Sequence, residues 1–254
     1  MSQAEDVGVE VHGHVAVVEM RRPPHNFFDV GLITALAEAF EAIDRRVELR
    51  AIVLAAQGSS FCAGADFSRP SPTGGATGDL YASAARLFAT KKPIVGAIQG
   101  PAIGGGLGLA LVPDFRIVAP EARFAANFVK LGIHPGFGLT LTLPRLIGLQ
   151  KAAQLLYTGR RINGEEALAW GLADGIAPKD GLRDAALALA SEIAEAAPLA
   201  VIATRTTLRE GLVEAFKART DHEGAEQAKL FSTEDYREGV RSVAERRPGN
   251  FAGA

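Results

Sequence analysis

The apolar positions of this chain change period more than once along its length, and each change predicts a different element. Residues 7–11 and 15–20 are rich in β-branched side chains and flank His12-Gly13-His14, which predicts a hairpin. Further on the spacing becomes helical. Ile33, Leu36, Ala37 and Phe40 share one face, and Asp29 stands where an N-cap is needed. AIVLAA (51–56) and PIVGAIQG (93–100) are short runs dominated by apolar residues, which predict strands covered on both faces. Between them, SRPSPTGGATGD (68–79) predicts a mobile surface loop, followed by a helix over 80–90. A helix starting in the glycine cluster at 104–108 then leads to a third strand, DFRIVA (114–119). Beyond residue 137 the pattern is mostly helical, over 138–147, 150–157, 164–170, 182–196, 199–210, 213–230 and 234–246. Ser232-Thr-Glu-Asp235 has the form of a capping box for the last of these. Strands alternating with helices, then helices alone, predict an α/β core with an α-helical C-terminal extension.

One supersecondary unit occurs twice. AIVLAAQGSSFCAGAD and PIVGAIQGPAIGGGLG both read as buried strand, Gln-Gly turn, then a stretch of small residues. Such a duplication places two small-residue turns at equivalent ends of neighbouring strands. Four glycines fall within five positions of the second copy, although glycine costs a helix about 1 kcal/mol relative to alanine. Two readings are open. The glycines permit close helix packing, or they bring backbone N–H groups against a ligand. In the second reading, an N–H near Gly105 and another from CAGAD form a two-donor oxyanion hole. Other glycine-rich chemistries fail on spacing. No G-x-G-x-x-[GA], no Gly-Lys-Ser/Thr and no G-x-S-x-G occurs at this cluster.

Composition narrows the partners. A chain of 254 residues can bury a real core, and 48% hydrophobic residues with a net charge of −2 describe an ordinary globular protein. No basic balance or polybasic block points to nucleic acid or to anionic lipid. The apolar runs break before the roughly 20 residues a membrane span needs. The acidic start MSQAEDVGVE does not read as a secretory signal. Cys62 is the single cysteine, which predicts no intrachain disulfide and a reducing, cytoplasmic setting. The five histidines form no pair at helical ligand spacing, so no metal site is expected.

Specific stretches carry a resemblance. Asn26, SSFCAGADF (59–67), KPIVGAIQGPAIGGGLGLAL (92–111), Asp114-Phe-Arg, residues 145–174, APLAV (197–201) and residues 234–251 are similar to the crotonase, or enoyl-CoA hydratase/isomerase, superfamily. The resemblance covers nearly the whole chain. It implies a crotonase-like spiral of repeated ββα units. The core at 1–195 would form an acyl-CoA site, and a helical region at 196–254 would form trimers or dimers of trimers. It implies no permanently bound cofactor, with coenzyme A present as part of the thioester substrate. It implies that the backbone N–H groups of Ala65 and Gly105 hold the thioester oxygen. Coenzyme A would enter past residues 21–26, including Arg21, Arg22 and His25, with Ala63, Asp66 and Phe67 along the pantetheine arm. Arg246 matches a basic residue that reaches a phosphate. The alternative for the arginines is an ordinary solvated surface, and for Asp66 a helix cap.

The same resemblance exposes a gap. Hydratases of this superfamily use two glutamates, and the matching positions here are Gly108 and Phe128. ANFVKLGIHPGFG (126–138) resembles the delta-isomerase branch, whose single glutamate follows a proline; here Gly136 follows Pro135. Every transferable carboxylate position is empty. Among substitutes, His134 lies near the isomerase base position with a suitable unperturbed pKa, or is a turn histidine bonded to backbone. Asn127 can hold a water but cannot take its proton, Cys62 reads as a small buried residue, and Tyr81 and Asp79 flank the loop. Two functions stay open. One is an enzyme that stabilises an enolate for isomerisation, hydrolysis or decarboxylation. The other is a non-catalytic acyl-CoA binder or oligomeric partner.

Overall fold

In the computed structural model, which describes residues 6–65 and 77–254, the chain begins as a hairpin of β1 (Val7–His12) and β2 (Val15–Met20), turning through Gly13 at φ 58°. Helix α1 (Val30–Asp44) follows, with Asp29 accepting from Leu32 N–H at its start. Then come β3 (Ala51–Ala56), α2 (Thr77–Phe88), β4 (Ile94–Ile98), β5 (Ala102–Ile103) and the short α3 (Gly105–Ala110). Strands β6 (Phe115–Val118) and β7 (Arg123–Ala125) precede a 3-10 turn at Asn127–Leu131. The remainder is α4 (Leu139–Thr158), β8 (Ile162–Asn163), α5 (Gly164–Trp170), β9 (Gly175–Ile176), α6 (Leu182–Glu195), α7 (Pro198–Leu208), α8 (Leu212–Leu230) and α9 (Glu234–Ala244). No single helix among the described residues is long and apolar enough to cross a membrane.

Six strands form one sheet in the order β1-β2-β3-β4-β6-β9, antiparallel at β1-β2 and parallel elsewhere. Its interior strands are apolar on both faces because both faces are covered. Ala16, Val18, Ile52 and Leu54 join the larger core with α1, whose Leu32, Leu36 and Phe40 are buried. The alternate residues Val15, Val17, Ala51, Val53 and Val95 face α6, which presents Ala186, Ala190 and Ala194. Alanines four apart make a flat stripe, so that helix lies close against the sheet. A second sheet, β5-β7-β8, joins strands of two or three residues. Such strands are too short to carry a period, so the sequence pattern could not predict them.

One local expectation changes. The last helix is capped by Thr233, whose side chain accepts from Tyr236 N–H, while Ser232 bonds back to Lys229 O; the cap lies one residue later than the pattern suggested. The two helices predicted over 138–157 lie on either side of Gly148, whose non-helical backbone (φ 76°, ψ 158°) kinks α4 between them. Residues 68–76 of the predicted loop lie outside the described residues.

A charge cluster fixes α7 to the sheet at the N-terminal ends of β4 and β6. Asp114 accepts from Ile94 N–H (2.9 Å), Arg205 (2.8 Å) and Arg209 (2.6 Å), and Arg205 also donates to Thr90 O. Burial pushes the Asp114 carboxyl up, but the two guanidinium groups outweigh it and hold the pKa below its ordinary value. The cluster's stabilisation is therefore present above the ordinary aspartate range and is lost as pH falls through the lowered folded value. Asp114→Asn should cost about 3 kcal/mol at neutral pH. It should also flatten the acid limb of the stability profile below about pH 4, measured by denaturant titration across pH.

Candidate active site

The candidate site forms where β3 and β4 end. Gln57 and Gln99 begin the two turns. Gln99 Nε2 donates to Ala56 O (3.1 Å) and Ser60 O (3.0 Å), tying the second turn to the first. Asn26, fully buried at φ 50°, donates to Gln57 O (2.6 Å) and Ser60 O (2.8 Å) and accepts from Arg22 N–H (3.0 Å). Beyond these side chains the two turns bond directly to each other. Cys62 N–H donates to Pro101 O and Ile103 N–H donates to Cys62 O, both at 3.0 Å, so Cys62 and Ala102 pair as parallel strands. Glycines allow this close approach. A Cβ on Gly106 would lie 2.1 Å from Cys62 O, and one on Gly64 would lie 3.0 Å from Ile103 O. Gly64 also needs its φ of 106°.

This lacing leaves N–H groups open in both turns. Phe28 N–H takes Gly64 O, and Gly104 N–H takes Ala125 O. Among the described residues the N–H groups of Ala65 and Gly105 have no acceptor. Both residues are partly exposed, whereas Gly104 and Gly106 are buried. Two such donors on adjoining turns can share one oxygen that gains negative charge.

Aromatic side chains build the wall behind them. A Cβ on Gly105 would meet Phe28 Cζ at 2.6 Å and Phe137 Cδ2 at 3.6 Å. Phe28 and Phe137 pack edge to face with ring centroids 5.4 Å apart, and Tyr81 packs on Phe137 at 6.4 Å. The Tyr81 hydroxyl is bonded to the Phe137 backbone and to Gln227; burial pushes this phenol up to about 12, so it is a neutral proton carrier. Glu223, fully buried, accepts from Gly138 N–H (2.7 Å), Thr140 N–H (3.0 Å) and Thr140 Oγ1 (2.6 Å). Burial pushes its carboxyl above its ordinary value, but both oxygens are spent on the start of α4.

Comparison with known proteins places this arrangement. Residues 10–254 match the profile described as enoyl-CoA hydratase/isomerase. The (E)-benzylidenesuccinyl-CoA hydratase of Thauera aromatica is 34% identical over 254 residues, covering 98% of this chain and 99% of that protein. A probable enoyl-CoA hydratase of Bacillus subtilis (strain 168) is 32% identical, covering 97% and 98%. The chain belongs to the enoyl-CoA hydratase/isomerase family. A crystal structure of an enoyl-CoA hydratase/isomerase from Pseudoalteromonas atlantica T6c superposes with a TM-score of 0.88 at 29% identity, over 97% of this chain and 100% of that one. That of a carnitinyl-CoA hydratase from Mycobacterium avium gives 0.86 at 30% identity, over 98% and 99%. The fold is therefore the crotonase spiral, and the family consists of enzymes that process acyl-CoA.

The structure gives the surroundings of the three positions that the sequence resemblance assigns to carboxylates. A Cβ on Gly108 would lie 2.7 Å from Phe137 Cβ and Cδ1. Phe128 is buried, 8% exposed. A Cβ on Gly136 would lie 2.4 Å from the Tyr81 hydroxyl and 2.7 Å from Gln227 Nε2. His134 lies half-buried, with Nδ1 2.7 Å from Pro135 O and its ring edge-on to His222 on α8 at 6.1 Å. No hydrogen bond among the described residues joins it to Ala65 or Gly105.

The coenzyme A candidates divide. Ala63 and His25 are brought together with the first turn: Ala63 N–H donates to His25 O (2.9 Å), and exposed His25 has Nδ1 3.2 Å from Ser60 Oγ. Arg21 is engaged by Glu19 and Glu10, and Arg22 by Asp6 and Asp29. Arg246 is exposed just past α9 at φ 55°, on a different element. Asp66 and Phe67 lie outside the described residues. Sequence reasoning did not single out Phe137, Gln227 or Glu223. Phe137 lies in the quoted stretch 126–138 and the other two stand in no motif, and only the packing shows what each touches.

The backbone contact at Gly106 has a direct test. Gly106→Ala should destabilise the protein by about 3 kcal/mol or more, because the new methyl meets a carbonyl that cannot move alone. Gly181→Ala, where a Cβ would meet nothing within 4 Å, should stay within about 0.5 kcal/mol, both read by thermal melts.

Proposed function

We propose that this chain binds an acyl-CoA thioester and stabilises its enolate with the backbone N–H groups of Ala65 and Gly105. We further propose that it does so without two-glutamate hydration. The observation that carries the second half is the wall: the Phe137 ring, the Phe128 ring and the Tyr81–Gln227 pair occupy the three carboxylate positions. A neutral phenol can donate a proton but is a poor acceptor at neutral pH. The reaction best suited to such a site forms its enolate without removing a proton. In a malonyl-type thioester the bond to the carboxylate breaks, carbon dioxide leaves, and its electron pair becomes the enolate. The enolate carbon then takes a proton from water or from a wall hydroxyl. His134 remains the candidate base for the isomerase alternative, and a non-catalytic acyl-CoA binder is the second reading, supported by the same lack of a carboxylate.

Assembly belongs to the same reading. Residues 1–195 would carry the site, and 196–254 would join copies into a homotrimer or a dimer of trimers. Support comes from α7, where Leu199 and Leu208 are 80% and 74% exposed. Beside them runs a groove of about 380 Å³ lined by Phe115, Ile193, Ala197 and Val201 among others. Leu199→Glu with Leu208→Glu should convert the trimer to monomer in light scattering; an unchanged mass would remove α7 from the interface.

A panel of enoyl, saturated and malonyl-type CoA thioesters, read by mass spectrometry, tests the chemistry. The expected result is loss of carbon dioxide from malonyl-type thioesters and no hydration of enoyl thioesters. Ala65→Pro, which deletes one donor, should cut kcat by about a hundredfold to a thousandfold. Rapid hydration of an enoyl thioester would defeat this reading, and tight acyl-CoA binding with no turnover would leave the binder.

A further inference from the structure

Phe137 is held in an unfavourable backbone for a reason that the core alone does not supply. It has φ 60°, in the left-handed region that bulky residues avoid, and it stands between two glycines. A residue kept in such a conformation by its surroundings directs attention to what its side chain touches. The ring is 1% exposed. It fills the space where any side chain at 108 would begin, 2.7 Å from that Cβ position, and it passes 3.6 Å from the Cβ position of Gly105. It also packs against three rings: Phe28 at 5.4 Å, Tyr81 at 6.4 Å and Phe216 at 6.4 Å, with Phe88 beyond Phe216 at 4.4 Å. The ring is thus the hub of an aromatic cluster behind the turn that carries Gly105.

We propose that Phe137 is the residue that sets acyl-chain length. Its ring ends the pocket just behind the oxyanion hole and restricts the substrate to short acyl groups. This rests on the acyl-CoA reading above and adds to it the substrate class, thioesters with roughly four acyl carbons or fewer, since a close-packed wall does not yield to added methylenes. The same plug keeps water out of the volume beside the hole, because the ring leaves no space at position 108.

The test is a binding series on the full chain by titration calorimetry, using acetyl-, butyryl-, hexanoyl- and octanoyl-CoA. Wild type should gain about fourfold in affinity per methylene up to butyryl, then lose about tenfold or more at hexanoyl. Phe137→Gly suits the positive φ and should move that break to hexanoyl or octanoyl. Phe137→Leu, which keeps the core filled, should move it part of the way and answers the question if the glycine variant does not fold. A break at the same length in a folded variant, or wild type binding octanoyl-CoA as tightly as butyryl-CoA, overturns the proposal. Failure of wild type to bind even acetyl-CoA overturns the acyl-CoA reading instead.

Discussion

The structure depends on two turns bonded to each other through their backbones. Cys62 pairs with Ala102 of β5 as a neighbouring strand would, although Cys62 lies beyond the end of β3. The contact is tight enough that Gly106 has no space for a methyl group, and Gln99 and Asn26 satisfy carbonyls around it that would otherwise be buried without partners. Once that lacing forms, the two open N–H groups are fixed by main chain rather than by rotatable side chains. Donors held in this way need no reorganisation when charge develops, which is where electrostatic preorganisation has its largest effect.

One charge cluster touches the first turn, where Glu19 pairs with Arg21 and Arg183 and accepts from Gln57 Nε2. Another, Asp114 with Arg205 and Arg209, lies at the N-terminal ends of β4 and β6, while the turns lie at the C-terminal ends. It anchors a helix. At the candidate site the wall is phenyl rings, a phenol and an amide, and the nearby carboxylate of Glu223 is consumed in capping α4.

Much of the fold was legible in the residues. The hairpin, the Asp29 cap, the buried strand at 51–56 and the helix at 164–170 follow from local patterns that tertiary contacts reinforce. The short strands of the second sheet and β9 were not legible, because two or three residues hold no period and pair only when distant segments arrive. The cap at Thr233 rather than Ser232 shows the same limit, since adjacent hydroxyls compete and the geometry of the preceding turn decides between them.

What the sequence determined by itself was the duplicated strand-and-turn unit and the absence of a side-chain carboxylate at positions 108, 128 and 136. Both are properties of residue identity and spacing, which short-range sterics translate directly into backbone form. Only the tertiary structure decided what stands in those emptied places. Phe137, Tyr81 and Gln227 come from the segment before α4, from α2 and from α8 respectively, and no local rule links them. Their meeting is a matter of close packing between elements far apart in the chain, where a missing side chain at one position is felt as volume for a ring at another.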